Sequence, residues 1–487
     1  MKSPTEVCII GAGPAGLSAA LEVVRLGGLP RVLEASPVRV GGLSQTAEYR
    51  GYRFDIGGHR FFSKNSEIEA LWTELLGSEM IEVPRSSRIY YRGRFYDYPL
   101  KALNALGNLG LLEAARCVVS YLQARLRPRH PVVSFEDWVT NQFGHRLFSI
   151  FFKTYTEKVW GIPCDQISAD WAAQRIKGLS LVTAALSALG WNPGGSQTIK
   201  TLIDTFRYPR LGPGQMWEAC AQRVQQAGGE VLMGSPAQEI HWDERGVSRV
   251  VSGERVMEAP FYISTMPMRS LLRALRPAPP EAVMQAANQL QYRDFLTVVL
   301  IVKDRNLFGD NWIYIHEPQV KVGRIQNYKN WSADMVPDPS TTALGLEYFC
   351  FEGDGLWDST DSALIELARS EVLQLGFCQP EDILDGTVVR MAKAYPVYDF
   401  HYQERVDVLR GFLERHLPNL QLAGRNGMHR YNNQDHAMLT GMFAARNCMG
   451  AGSFDCWKVN ADAEYLEEEK APPRPAGRLV PERVAPL

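Results

Sequence analysis

The chain opens on an apolar run, VCII, that passes through GAGPAG into the alanine-rich stretch LSAALEVVRLGG and then into a second apolar run, RVLEAS. Short unbroken apolar runs bounded by glycine predict strands buried on both faces, and small apolar residues at helical spacing predict the helix between them. Much later GGEVLMGSPAQEIHWDERGVSRVVSGERVMEAPFYISTMP reads as strand, hairpin and strand, and its last apolar run, 261–265, is placed to rejoin the first sheet. A third return is predicted at NLQLAG, followed by a polar glycine loop and the helix-like AMLTGMFAARNCM. Between these pieces, residues near 104–200 carry apolar positions at helical spacing, as in LGLLEAARCVVSYLQARLR and SFEDWVTNQFGHRLFSIFFKTYTEKVW. Residues near 286–400 alternate instead (FLTVVLIVK, NWIYIHEP, ALGLEYFCF) and predict an antiparallel sheet. The expected fold is therefore α/β, with a parallel sheet assembled from separated segments, a helical insert and an antiparallel-sheet domain. The Pro-rich end, 471–487, has little to bury and is expected to be disordered.

Composition narrows the function classes. A chain of 487 residues is too long for one ordinary core. Its net charge of −2 lacks the basic excess of a general nucleic-acid binder. The eight cysteines (8, 117, 164, 220, 350, 378, 448, 456) show no CxxC pair, and the histidines do not cluster, so reduced core thiols are expected and no metal site. LSLVTAALSALGWNPGGSQTI, the longest uncharged stretch, is broken by Gly and Pro and does not read as a membrane span. The first residues run straight into a strand, and a cytoplasmic location is the expectation.

Gly11-x-Gly13-x-x-Gly16 in a strand–helix–strand frame, with Glu34 ending the second strand, is the Rossmann dinucleotide fingerprint. Gly11 makes the turn, Gly13 lets the backbone approach a pyrophosphate, and Gly16 lets helix pack on strand. The helix N-terminus offers unpaired N–H groups and a positive dipole end. Glu34 suits ribose hydroxyls and disfavours a 2′-phosphate. Arg39, Gly41 and Gly42 in RVGGLSQT follow directly and allow a second close approach to a longer cofactor, which favours FAD, although the same residues also suit an ordinary surface turn. The expected FAD-binding domain comprises 1–65, 204–285 and 415–470. The helical insert is 104–203, and the antiparallel-sheet substrate domain is 66–103 with 286–414.

A second glycine loop, Gly57-Gly58-His59 in FDIGGHRFFSK, sits between aromatic residues where something large must come close. Together with KVWGIPCDQISADWAAQRI, WIYIHEPQVKVGRIQNY and GRNGMHRYNNQDH, it resembles the flavin-dependent UDP-galactopyranose mutases and the mutase-like proteins grouped with amine oxidases and protoporphyrinogen oxidases, over residues 5–466. The resemblance implies that Gly57, Gly58 and His59 lie against the flavin ring and that Trp160 stands near it. It also implies that Arg175 and Arg324 clamp a diphosphate, with Tyr314, Tyr395 and Tyr431 as substrate contacts. Arg425 would contact cofactor phosphates or ribityl, and Asn433 with Gln434 the flavin and sugar. His59, Arg175 and Arg324 are the catalytic candidates. Core packing for Trp160 and a solvated helix face for Arg175 remain open on the residues alone.

By that resemblance the activity is pyranose–furanose interconversion of a nucleotide-diphosphate sugar. Reduced FAD, with NAD(P)H as reductant, would displace the nucleoside diphosphate through a flavin N5–sugar adduct. His429, Trp331 and YDYPLKALNALG depart from the family pattern, which puts the nucleotide and sugar in question. The alternative is an FAD-dependent oxidoreductase (desaturase, amine oxidase or protoporphyrinogen oxidase-like) on the same fold. The arginine pair discriminates, because an apolar or amine substrate has no use for two cations. The oligomeric state is open.

Overall fold

The computed structural model describes residues 4–98, 100, 102–169 and 205–460. Arg175, the insert beyond residue 169 and the Pro-rich end lie outside the described residues. The fold is mixed α/β. Five parallel strands run in the order Leu420–Leu422, Phe261–Ser264, Glu6–Ile10, Leu29–Leu33, Glu230–Leu232. The first strand of the chain is thus central, with Ile10 opposite both Ser264 and Leu33. The helix Pro14–Arg25 starts with proline in its first turn, where the missing N–H costs nothing. Its residues Ala15 to Val23 are all buried, because helices Gly214–Gln226 and Gln434–Cys448 pack against it above the sheet. Small residues set this closeness: a Cβ on Gly441 would lie 2.0 Å from the Ala15 carbonyl oxygen. Leu271, Leu409 and Leu413 fill the core on the other face.

A seven-stranded sheet stands beside it, in the order Ile383–Pro396, Tyr292–Lys303, Thr341–Cys350, Arg324–Asn327, Trp312–Ile315, Ser87–Tyr91, Arg94–Asp97. It is antiparallel except where Trp312–Ile315 meets Ser87–Tyr91, a strand arriving from far upstream. The alternation expected for its long strands is not a half-solvated pattern. Thr341–Cys350 is buried along its whole length, and Tyr292–Lys303 as far as Val302. Helix Asp361–Gln374 covers one face, while Phe54, Phe206, Tyr208 and Trp331 press on the other.

One boundary differs from the expected one. Helix Ser66–Leu76 belongs with the parallel-sheet core, where the Trp72 indole N–H donates to Met438 Sδ at 3.2 Å. Only the hairpin Ser87–Asp97 joins the large sheet. The described part of the insert contains helices Leu111–Leu126 and Phe135–Phe143, then a π turn, Ser149–Lys153, leading into Thr154–Trp160. All eight cysteines are buried and free. Among the described residues no helix is long and apolar enough to cross a membrane.

Candidate active site

Two constellations make up the candidate site. The first is made of backbone. Gly11 adopts φ of 101°, and a Cβ there would meet Thr265 Oγ1 at 2.2 Å. A Cβ on Gly16 would sit 1.8 Å from the Gly11 carbonyl oxygen, so helix and turn are in direct contact. Gly13 differs: nothing lies closer than 3.9 Å to its missing Cβ, and those nearest atoms belong to Gly41 and Gly42. The Gly41 N–H donates to the Ala12 carbonyl at 2.8 Å, tying the two glycine turns together. Glu34 is fixed by the Ala12 and Ser36 N–H groups at 2.7 and 2.8 Å. Arg39 is held by the Thr46 carbonyl at 2.8 Å.

The second constellation is a rung of the large sheet. Tyr314, Arg324, Glu347 and Thr297 stand opposite one another on four adjacent strands, so register alone puts them on one face. Arg324 Nε donates to Glu347 at 2.5 Å, and Gln326 Nε2 donates to the other carboxylate oxygen at 2.6 Å. Burial pushes the Glu347 carboxyl up, and Arg324 pulls against it. Burial would lower the Arg324 guanidinium, but Glu347 and the hydroxyls of Tyr155, Tyr395 and Tyr314 hold it well above the arginine range. Its terminal end points at the second glycine loop: a Cβ on Gly58 would lie 3.7 Å from Nη1.

That loop is set from below. Both Asp55 carboxylate oxygens accept from the Tyr208 hydroxyl at 2.8 Å, and the Asp55 carbonyl accepts from Tyr328 at 2.9 Å. Gly57 then turns with φ of 87°, and the neutral His59 ring donates from Nδ1 to the Gly57 carbonyl at 3.1 Å. Burial, then the nearby charge of Arg425, pushes the half-buried His59 imidazole down to about 3, with Arg324 adding to the effect. It is therefore uncharged at neutral pH, with Nε2 left as an acceptor.

Arg425 lies against both the Tyr395 and Tyr431 rings, with Cζ 4.9 and 5.1 Å from their centroids, and donates to the Asn432 and Ala394 carbonyls. Expected to contact cofactor phosphates or ribityl, it is held in this structure by these carbonyls and rings, a cation–π arrangement. Trp160 is buried at the end of its helix, with its ring 6.4 Å from Tyr395 and 5.8 Å from Tyr398. It packs in the core and borders the tyrosines at once. Asn433 is the N-cap of helix Gln434–Cys448, and its N–H donates to His436 Nδ1 at 3.2 Å. Gln434, next in the chain, has both amide atoms buried with no hydrogen-bond partner among the described residues, as does Asn432. Two of the three departures from the expected pattern are core residues. Trp331 stacks on Trp312 at 5.5 Å, and His429, with φ of 46°, packs edge-on against Tyr292 at 4.9 Å.

Sequence reasoning missed Glu347, Gln326, Thr297, Asp55, Tyr155 and Asn432. Glu347 had a signal, a carboxylate in the apolar run ALGLEYFCF. The others look unremarkable until the register is known.

These residues fit FAD. Buried polar groups without partners cost about 1–3 kcal/mol each, so the four orphaned amide atoms of Asn432 and Gln434 suit a polar ring bound against them. Gly13 leaves open space at an N-terminus whose cap has no side-chain hydrogen bond, which suits a pyrophosphate. The comparisons agree. A provisionally named flavin-containing monoamine oxidase, AofH, of Mycobacterium tuberculosis is 28% identical over 295 residues, 57% of this chain. The chain spans 60% of that relative's length. A 15-cis-phytoene desaturase of Synechococcus elongatus is 25% identical over 425 residues, 80% of each chain. In fold, the chain resembles a reduced UDP-galactopyranose mutase (TM-score 0.81, 24% identity, 94% of this chain and 99% of that one). It also resembles a protoporphyrinogen oxidase-like protein of Exiguobacterium sp. 255-15 (TM-score 0.70, 16% identity, 92% and 98%). Residues 14–449 match the flavin containing amine oxidoreductases, and the chain belongs to that family.

Proposed function

We propose that this flavoenzyme acts on a nucleotide-diphosphate sugar and interconverts its pyranose and furanose rings. The observation that carries the reading is Arg324: its charge is locked on buried Glu347, its free end is turned to Gly58, and tyrosines surround it. A fixed cation among hydroxyls beside the flavin loop suits a diphosphate leaving group that must stay in place and return. Arg175 is proposed as the second cation of that clamp. Tyr314, Tyr395 and Tyr431 would orient the phosphates and sugar, with Trp160 closing the side against Tyr395. Neutral His59 would accept a hydrogen bond at the cofactor edge. Gly11, Gly13, Gly16 and Glu34 would hold the adenosine and pyrophosphate end, Gly41 and Gly42 the adjoining turn, and Gln434 the ring. FAD, when bound, supplies a ring that is nucleophilic when reduced and accepts hydride when oxidised.

A second reading, net oxidation of the substrate, is favoured by the names of the sequence relatives, a monoamine oxidase and a desaturase. The two are separated by holding the enzyme fully reduced under nitrogen with UDP-galactose and following the sugar by chromatography. A ring isomer formed over many turnovers, with no reductant consumed, is expected. Product formed only by oxidised enzyme, with one acceptor reduced per product, would overturn the mutase reading in favour of the second.

A further inference from the structure

Helix Leu111–Leu126 departs from the usual amphipathic rule. Its inward side is narrow. Cys117 and Ala124 are buried, the Ser120 hydroxyl accepts from the Arg146 N–H at 3.0 Å, and Gly144 allows the backbone at Tyr121 to approach closely. Its outward side is apolar. Leu111, Leu112, Val118, Val119, Leu122 and Leu126 recur at helical spacing and are exposed, Leu111 by 93% and Leu126 by 82%. These are six of the fifteen exposed large hydrophobic residues among the described residues, so the feature is a patch and not ordinary scatter.

The rim of the patch is basic. Arg116, Arg125 and Arg127 are exposed on or just past the helix, and Arg92 lies near its first turn. Glu113 is the only acid on the helix, and it is already bonded to Arg146 and paired with Arg116. A second copy of the same face would therefore bring no carboxylate to meet the arginines. An apolar stripe flanked by arginines matches acyl chains below and anionic headgroups alongside. We propose that Leu111–Leu126 lies in the interface of an anionic bilayer and docks the enzyme on it without crossing it.

The test is co-sedimentation of the flavin-loaded, full-length protein with vesicles of phosphatidylcholine alone and of phosphatidylcholine mixed with phosphatidylglycerol. Binding to the anionic vesicles should be tighter by about tenfold or more, and should weaken with added salt. Leu112→Gln with Leu122→Gln and Leu126→Gln should abolish binding while flavin absorbance and melting temperature stay unchanged, since these side chains are exposed. Arg125→Gln with Arg127→Gln keeps the apolar stripe and should remove the preference for anionic lipid. This pair provides the test should the apolar variant fail to fold. Protein that stays in the supernatant with both vesicles overturns the proposal, and so does equal binding to both. A wild-type dimer in size-exclusion chromatography that the triple variant turns into a monomer would assign the patch to a second copy instead.

Discussion

The two ends of the candidate site are built in opposite ways. At the proposed nucleotide end the groups are backbone, positioned by glycines a few residues apart in sequence, and Glu34 follows one strand later. At the proposed substrate end the groups are side chains from four strands spread over residues 292–350, and cross-strand register alone makes neighbours of Tyr314, Arg324, Glu347 and Thr297. The first end depends on what must be absent, a Cβ. The second depends on a buried charge having its partner. They should therefore fail differently when mutated.

The largest effect is expected from Gly16→Ala, whose methyl would occupy the Gly11 carbonyl, so both soluble yield and bound flavin should be lost. Gly13→Val sharpens the point. Nothing in the protein stands within 3.9 Å of its Cβ, so the chain should still fold and melt cooperatively, yet be colourless. A yellow Gly13→Val protein would mean that the cofactor lies elsewhere.

Glu347→Gln should come next. It leaves the Arg324 charge in a largely buried place without its counter-ion, a change that costs about 3 kcal/mol. Denaturant melts should show that loss, and calorimetry should show weaker UDP binding, while flavin content stays near normal. Arg324→Ala leaves the fully buried Glu347 carboxyl without its counter-ion, so its stability cost should be comparable, and its effect on the ligand is direct. Loss of a charged hydrogen bond of about 1.5–3 kcal/mol weakens UDP by one to two decades. Unchanged UDP affinity in the alanine variant would remove the cation from the proposed site.

The smallest effect concerns pH. Burial, then the charge of Lys158, lowers His316 from 6.5 to about 3, and burial takes His429 to about 4. The unfolded chain therefore takes up these protons first, and the stability they represent is present above pH 6.5 and lost as pH falls toward 3 to 4. Asp55 and Glu347, both pushed up by burial, act in the opposite sense and flatten the curve. His316→Phe keeps the ring that stacks on Tyr155 at 5.2 Å and removes one titrating group. Its melting temperature should fall less between pH 6.5 and 4, by roughly a few degrees. An unaltered slope would show that His316 charges freely in the folded protein.

The same contrast explains what could be read in advance. The α/β class was legible because buried parallel strands and their helices write unbroken apolar runs and close-set glycines into contiguous sequence. Gly57, Gly58 and His59 were visible for the same reason. Arg324, Tyr314, Tyr395, Tyr431 and Arg425 could be singled out one by one, but not what holds them. Which core takes helix Ser66–Leu76 was not legible, because its apolar face reads the same in either; in the structure Trp72 meets Met438. Glu347 sat unnoticed in an apolar strand, since only the register of Arg324–Asn327 against Thr341–Cys350 places it opposite the arginine. Sequence by itself determined the turns and glycines, because backbone conformation is a local property. The pairing of charges, the orphaned amides of Asn432 and Gln434 and the apolar face left outward on Leu111–Leu126 were decided by tertiary structure, because burial and partnership depend on which distant segments meet.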